Sequence, residues 1–374
     1  KASSDPDFQS LESVVKAEMI RMGVGNTSIA IRYSNTVAEA AANKSRLVYN
    51  RAFGHSVSDW RSRSGYGFMT QSEDAVQNYA SMTKAITEAL LANFVQKGWV
   101  SLSDNVFCLP GNTAAKCWIT GHTTSEPRYA RITVQNVLDY KIGVPTTGIY
   151  SNTVAEGVSY SAIQAILSRP LDSEPSTTYS YNSFGHQMLG VLLEIVMQQY
   201  TGTQRSFEEL VHMYLTRPLG IRDADMFQVK DNRPQFRDPR TMWYDSNTYG
   251  LDSYGGGKVG GSADYQFKSQ NYTAAGAWAG TTTALAKFAS VYGCGIASGA
   301  LDGTSVICYN FRDSNSGVFT VVATANKMWE SIEAAKVGKS GMAVEPIGLA
   351  VAKAVYGMHM PSEDLDSVSA ATVL

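Results

Sequence analysis

The run Ser81-Met82-Thr83-Lys84 leads directly into the apolar stretch Ala85-Ile86-Thr87-Glu88-Ala89-Leu90-Leu91. On a helix, residues three apart share a face, so the Lys84 amine comes within reach of the Ser81 oxygen. A serine hydroxyl is a weak nucleophile until its proton is removed. A lysine removes that proton only when burial or a second cation lowers the amine's pKa. Unpaired N–H groups and the positive dipole end at a helix start favour an anion at Ser81. The chemistry indicated is attack by Ser81 with Lys84 as its base.

The pattern by itself is unspecific, because Ser13-Val14-Val15-Lys16 satisfies it equally. Context separates the two. Ser13 and Lys16 fall in an amphipathic helix expected over residues 8–22, whose apolar side is Leu11, Val14, Val15, Met19 and Ile20, so they read as a polar face in water. Ser81 follows a polar turn at 70–74 and a short apolar approach at 75–79, and its helix is expected to stop at Gly98 after Gln96 and Lys97.

The whole chain bounds what such a site can belong to. Its 374 residues, 44% hydrophobic, suffice for a large core. A net charge of -2 with no run of like charges gives no support to a nucleic-acid or anionic-membrane partner. No apolar stretch is long enough to cross a bilayer, and the chain opens at Lys1 without a signal-like core, so a removed leader is expected. Cys108 and Cys117 bracket one turn and Cys294 and Cys308 another, which reads as two short disulfide loops or as four buried thiols. The disulfide reading, together with sequons at Asn26, Asn43 and Asn271, favours an extracytoplasmic location.

Strand-like segments at 28–33 and 46–53 read as a hairpin. Helical patterns follow at 134–140, 161–167, 185–200 and 207–215, then strands at 305–309 and 318–323 and a helix at 346–355. Strands from both ends must share one sheet, which predicts an α/β fold: an antiparallel sheet flanked by helices, with a helical insert. The core is assigned to 1–97 plus 266–374 and the helical, loop-rich insert to 98–265.

Residues 228–272 carry Trp243, Tyr244, Tyr249, Tyr254, Tyr265 and Tyr272 without periodicity, and a loop of that length is either a functional wall or a surface loop packing its own rings. Within it, Gly255-Gly256-Gly257-Lys258-Val259-Gly260 matches a dinucleotide fingerprint but lacks the preceding strand and following helix that phosphate binding needs. Five scattered histidines, His55, His122, His186, His212 and His359, form no metal-ligand spacing, and no cofactor is indicated. No G-x-S-x-G elbow is present for a serine-histidine-acid triad, and His186 reads as a structural hydrogen-bonding residue.

Six segments in order resemble one superfamily across nearly the whole chain: class C beta-lactamases, family VIII esterases, D-aminopeptidases and related penicillin-binding proteins. YASMTKAITEALLANFVQKGWVSLSDNV (79–106) resembles their nucleophile helix. ITVQNVLDYKIGVP (132–145) and TYSYNSFGHQMLGVLLEIV (178–196) resemble the following helix and the tyrosine motif. SFEELVHMYLTRPLG (206–220), AAGAWAGTTTALAKFASVY (274–292) and SGALDGTSVICYNFRDSNSGVFTVVATAN (298–326) resemble the Pro-Leu-Gly segment, the Gly-rich turn with its helix, and the terminal hairpin.

The resemblance implies a single beta-lactamase-like unit over 1–374 in which Ser81 attacks an acyl carbonyl while Lys84 and Tyr181 handle its proton, with Tyr179 the nearest alternative to Tyr181 by register. It implies backbone N–H groups of Ser81 and Ala300 as the oxyanion hole, and substrate contacts at Ser183, Asn182, Ser298 and Gly299. Two positions depart from the family. Tyr-x-Asn becomes Tyr181-Asn182-Ser183, and the usual basic residue of the third motif becomes Ala297, ahead of Ser298-Gly299. A Lys-Ser-Gly at 339–341 follows the terminal hairpin and is taken as a coincidence.

Without that cation, a charge-assisted bond to a substrate carboxylate, worth roughly 1.5–3 kcal/mol, is lost. The expected activity is therefore an esterase or amidase working through an acyl-enzyme on a small-molecule substrate. Acyltransferase, D-aminopeptidase or DD-peptidase, and beta-lactamase are alternatives on the same site. A binding protein that has lost turnover is the non-enzymatic one, and the oligomeric state is left open.

Overall fold

The computed structural model describes residues 8–22, 24–57, 68–70, 73–144, 160–229, 249–251, 258–260, 274–295, 298–301, 304–312, 317–327 and 344–359. Helix α1 (Gln9–Met22) leads into β1 (Val24–Ser34), and a short α2 (Val37–Ala41), capped by Thr36 on the Glu39 N–H, turns the chain into β2 (Arg46–Val57). β3 (Phe68–Thr70) and β4 (Val76–Asn78) follow, and β4 runs through a 3-10 turn (Ala80–Met82) into α3 (Thr83–Gln96). That helix ends as expected at Gly98, whose φ of +70° is a conformation only glycine adopts without strain.

The middle of the chain holds β5 (Asn105–Phe107), β6 (Cys117–Ile119), α4 (Val134–Leu138), α5 (Tyr160–Leu167), α6 (Phe184–Thr201) and α7 (Phe207–Val211). Capping boxes at Thr133/Asn136 and Ser206/Glu209 start α4 and α7. Then come β7 (Met226–Gln228), β8 (Tyr249–Leu251), β9 (Lys258–Gly260), β10 (Trp278–Thr281) and α8 (Thr282–Tyr292). The chain closes through β11 (Ser298–Leu301), β12 (Thr304–Arg312), β13 (Val318–Lys327) and α9 (Val344–His359).

The main sheet has six antiparallel strands in the order β11-β12-β13-β1-β2-β3, so strands from both ends of the chain lie side by side. Alternation along β1 divides its two faces. Ile29 and Ile31 pack with Leu11 and Val15 of α1 and Ile347 and Val351 of α9 in one core. Ala30 on the opposite face joins a larger core shared with Phe94 of α3, Leu192 of α6 and Phe288 of α8. A smaller sheet, β4-β10-β7, lies beside it and feeds the chain into α3.

The long segment around 228–272 lies mostly outside the described residues. Residues 258–260 of the glycine-rich motif form β9, paired antiparallel with β8, while 255–257 are outside. Among the described residues no helix is long and apolar enough to cross a membrane. The three sequons are placed differently. Asn26 is fully buried in β1, Asn43 donates its side-chain N–H to Leu219 O at 3.4 Å, and Asn271 lies outside the described residues.

The four cysteines form two disulfides, Cys108–Cys117 and Cys294–Cys308. The second joins the segment after α8 to β12, at the root of the edge strand β11. Protein denatured without reductant is expected to show no reactive thiol in a colorimetric titration and four after reduction. Replacing both Cys294 and Cys308 by serine should lower the unfolding free energy by about 2–4 kcal/mol in a denaturant titration.

Candidate active site

The nucleophile turn is held by its backbone. Tyr79 donates its N–H to Trp278 O of β10 at 2.7 Å and its hydroxyl to Thr281 O at 2.8 Å. Ala80 then adopts φ +48°, in the left-handed region that a residue with a Cβ seldom occupies, and its N–H is held by Asn78 Oδ1 at 2.7 Å. Such strain costs of order 1–3 kcal/mol and persists only where surrounding contacts over-determine the backbone. Here they turn the chain off β4 and set Ser81, half-buried, within the 3-10 turn that opens α3.

Lys84 is fully buried. Its Nζ donates to Ser81 Oγ at 3.1 Å and to Ala275 O at 2.9 Å. Burial penalises the ammonium and pulls its pKa down to about 7, while Glu88, one turn further along α3, works in the opposite direction. Near neutral pH a large share of molecules therefore carry a free amine lone pair beside Ser81.

Tyr181, from the loop that enters α6, reaches the same oxygen across a separation of 100 residues, its hydroxyl donating to Ser81 Oγ at 2.8 Å. Its ring faces Lys84 Nζ at 4.9 Å. Tyr179, the alternative by register, is 63% exposed and packs at a tilt on Tyr140 instead. Behind Tyr181 stands a column of rings: Tyr140 stacks on Tyr181 at 5.1 Å and on His186 at 5.2 Å. His186 is fully buried, and its Nε2 lies 2.9 Å from Glu88 Oε1.

Gly299 of β11 lies against the nucleophile turn so closely that a Cβ there would stand 2.4 Å from Tyr79 O and 2.9 Å from Ser81 N. Only glycine permits this approach. The register pairs Leu301 with Thr304 and Ala300 with Ser305. Successive N–H groups of an antiparallel strand point alternately toward and away from its partner, and β11 is the edge strand, lying next to the Ser81 turn.

The remaining sequence-derived contacts sit differently. Asn182 is buried and engaged in its own turn, its amide donating to Ser180 O at 2.9 Å and its Oδ1 accepting from Gly185 N at 3.1 Å. Ser183 occupies the N-cap position of α6 without a side-chain capping bond, and Ser298 is half-buried at the start of β11. Ala297 and the Lys-Ser-Gly at 339–341 lie outside the described residues. Sequence reasoning passed over Tyr140, which it placed inside a helix. The helix stops at Leu138, and Tyr140 takes φ +54°. It also passed over Glu88, although the four-residue spacing from Lys84 on one helix face was the available signal.

Among the described residues no group of His, Cys, Asp or Glu is arranged to hold a metal ion. The arrangement is suited to removing a proton from Ser81 and to holding negative charge at two backbone N–H groups.

Known proteins share this scaffold. The D-amino acid amidase from Ochrobactrum anthropi SV3, solved with D-phenylalanine, superposes with a TM-score of 0.61 at 16% identity over 93% of this chain and 99% of that one. EstCE1, described as a hydrolase with promiscuous acyltransferase activity, gives 0.53 at 15% identity over 92% and 98%. The "Probable fimbrial assembly protein FimD, serogroup H1" of Dichelobacter nodosus is 26% identical over 151 residues, so the match spans 38% of this chain and only 36% of that protein. The Beta-lactamase family model matches residues 32–342, and the fold built around Ser81 is the one these solved structures share, so the chain belongs to the Beta-lactamase family.

Proposed function

We propose that the protein is a serine hydrolase that cleaves an ester or amide through a covalent acyl-enzyme on Ser81. The observation that carries this reading is the convergence of Lys84 Nζ and Tyr181 Oη on one atom, Ser81 Oγ, at 3.1 and 2.8 Å. Neutral Lys84 accepts the Ser81 proton as Oγ bonds to the acyl carbon. The N–H groups of Ser81 and Ala300 bind the oxygen that becomes negative. The proton passes through Lys84 and Tyr181 to the departing alcohol or amine, and the acyl–leaving-group bond breaks. Water then attacks the ester at Ser81, gives its proton to the same pair, and releases the acid with Oγ reprotonated.

Substrates without a free carboxylate fit this site best, because the sequence has Ala297 where the family carries a cation. Asn182, engaged in its own turn, supplies no substitute. The two disulfides favour an extracytoplasmic setting, since such bonds persist where the environment is oxidising.

Incubation with a short-chain chromogenic ester and a serine-directed phosphonate tests the assignment. One adduct is expected by intact mass, located on Ser81 by peptide mapping and lost in Ser81→Ala together with turnover; an adduct elsewhere, or turnover that survives Ser81→Ala, rejects it. Because Lys84 acts when neutral and its pKa is about 7, kcat/KM should rise with pH and level off above roughly pH 7–8. A profile flat from about pH 5 to about pH 9 would remove Lys84 as the base. Gly299→Ala, which pushes β11 off the Ser81 turn, should lower kcat by about 10²–10³-fold, the cost of losing one oxyanion donor, in a steady-state ester assay.

A further inference from the structure

The nucleophile sits on a ring closed by contacts and by the charge interaction of Lys84 with Glu88, only part of which the proposed chemistry uses. Ser81, Lys84 and Glu88 follow one another along one face of α3 at spacings of three and four. From Glu88 the ring returns through His186 at 2.9 Å, the His186–Tyr140 stack at 5.2 Å, the Tyr140–Tyr181 stack at 5.1 Å, and the Tyr181 hydroxyl on Ser81 Oγ at 2.8 Å. The half of the ring that passes through His186 touches no reacting atom.

The protonation state of His186 follows from its partners. A carboxylate only accepts, so Nε2 carries the proton and donates it to Glu88. Nδ1 is buried and has no hydrogen-bond partner, so a second proton there would bury an N–H without an acceptor. Burial holds the imidazole below its ordinary pKa, and the Lys84 charge adds to this while Glu88 opposes it. A neutral ring whose lone pair has no hydrogen-bond partner, and whose proton is held by Glu88, does not serve as a base for Ser81. It is instead a rigid spacer with one fixed end.

We propose that His186 is a positioning residue: anchored on Glu88 and stacked on Tyr140, it fixes the Tyr181 phenol against Ser81 and holds the Glu88 carboxylate one turn from Lys84. The inference rests on the serine-hydrolase reading above. It explains why a fully buried histidine is tolerated beside a buried amine, and why Tyr140 is kept in a left-handed backbone conformation between two rings.

The groups facing Lys84 are Glu88 on its own helix, His186 from α6, Tyr181 from the loop before α6, and the Ala275 carbonyl. Of these only Glu88 bears a carboxylate, and it raises the Lys84 pKa against desolvation.

The test uses the full chain with His186→Phe, which keeps a ring and removes the N–H, and His186→Gln, which keeps an N–H donor and removes the ring. Each is made alone and with Tyr181→Phe. In ester hydrolysis, kcat should fall about tenfold or more in each single variant with KM little changed. The same changes should cost less than about twofold once Tyr181→Phe has removed the phenol being positioned. Equal losses in both backgrounds, or a kcat at the wild-type level in the single variants, would overturn the proposal.

Glu88→Gln, at a side chain 28% exposed and close in shape to the native residue, keeps the test available should the His186 variants not fold. Its kcat/KM limb should move to lower pH, because the anion that supports the Lys84 charge is gone, and an unmoved limb overturns the Glu88 half of the ring. The two readings fail differently. Absence of any Ser81 adduct in the wild-type protein removes the hydrolase reading, whereas adducts forming at the wild-type rate in the His186 variants remove only this one.

Discussion

Burial of the Lys84 amine is the constraint on which the rest of the site depends. A lysine side chain in water is charged and useless as a base, and only an environment that withholds solvation makes its lone pair available near neutrality. Helix α3 supplies that environment because Thr83, Lys84, Ala85, Ile86 and Thr87 are all buried, an arrangement possible only where the helix is packed on every side. The Ala275 carbonyl and the Ser81 hydroxyl then satisfy the amine without charging it. A carboxylate in contact would have undone the effect, and Glu88 stands a full turn away with its own proton donor in His186.

The backbone around Ser81 is as constrained as the side chains. Tyr79 is fixed at both ends by β10, Ala80 is forced into the left-handed region, and Gly280 of β10 and Gly299 of β11 let those strands approach where a methyl group would collide with Tyr79. These contacts come from three distant parts of the chain. Their common effect is to hold the turn that carries Ser81, with the edge strand β11 alongside.

The departures from the family pattern acquire a physical meaning in this setting. Asn182, which follows Tyr181, is directed into the first turn of α6 and stabilises the loop that delivers the phenol. Ser183 is left as a small, half-buried hydroxyl. Tyr140, stacked on Tyr181, makes the side of the site that carries the phenol aromatic. The glutamate-anchored His186 belongs to the same wall, from behind.

The sequence by itself determined whatever short-range spacing can encode. The adjacency of Ser81 and Lys84 follows from helical periodicity, the stop at Gly98 from a glycine after Gln96 and Lys97, and the hairpin of β1 and β2 from β-branched and aromatic content, while the cysteine spacing left disulfides and buried thiols both open. The order of six segments was enough to place Tyr181 beside them. Tertiary structure decided what depends on packing across the chain. Nothing in the letters around Tyr140 announces a left-handed residue wedged between two rings, and Asn26 looks like a surface sequon until β2 and β13 pair with β1 on either side. That Glu88 meets His186 98 residues away, and that Lys84 loses its charge preference, are properties of burial. Burial is set by which surfaces the whole fold brings together, not by any residue's neighbours in sequence.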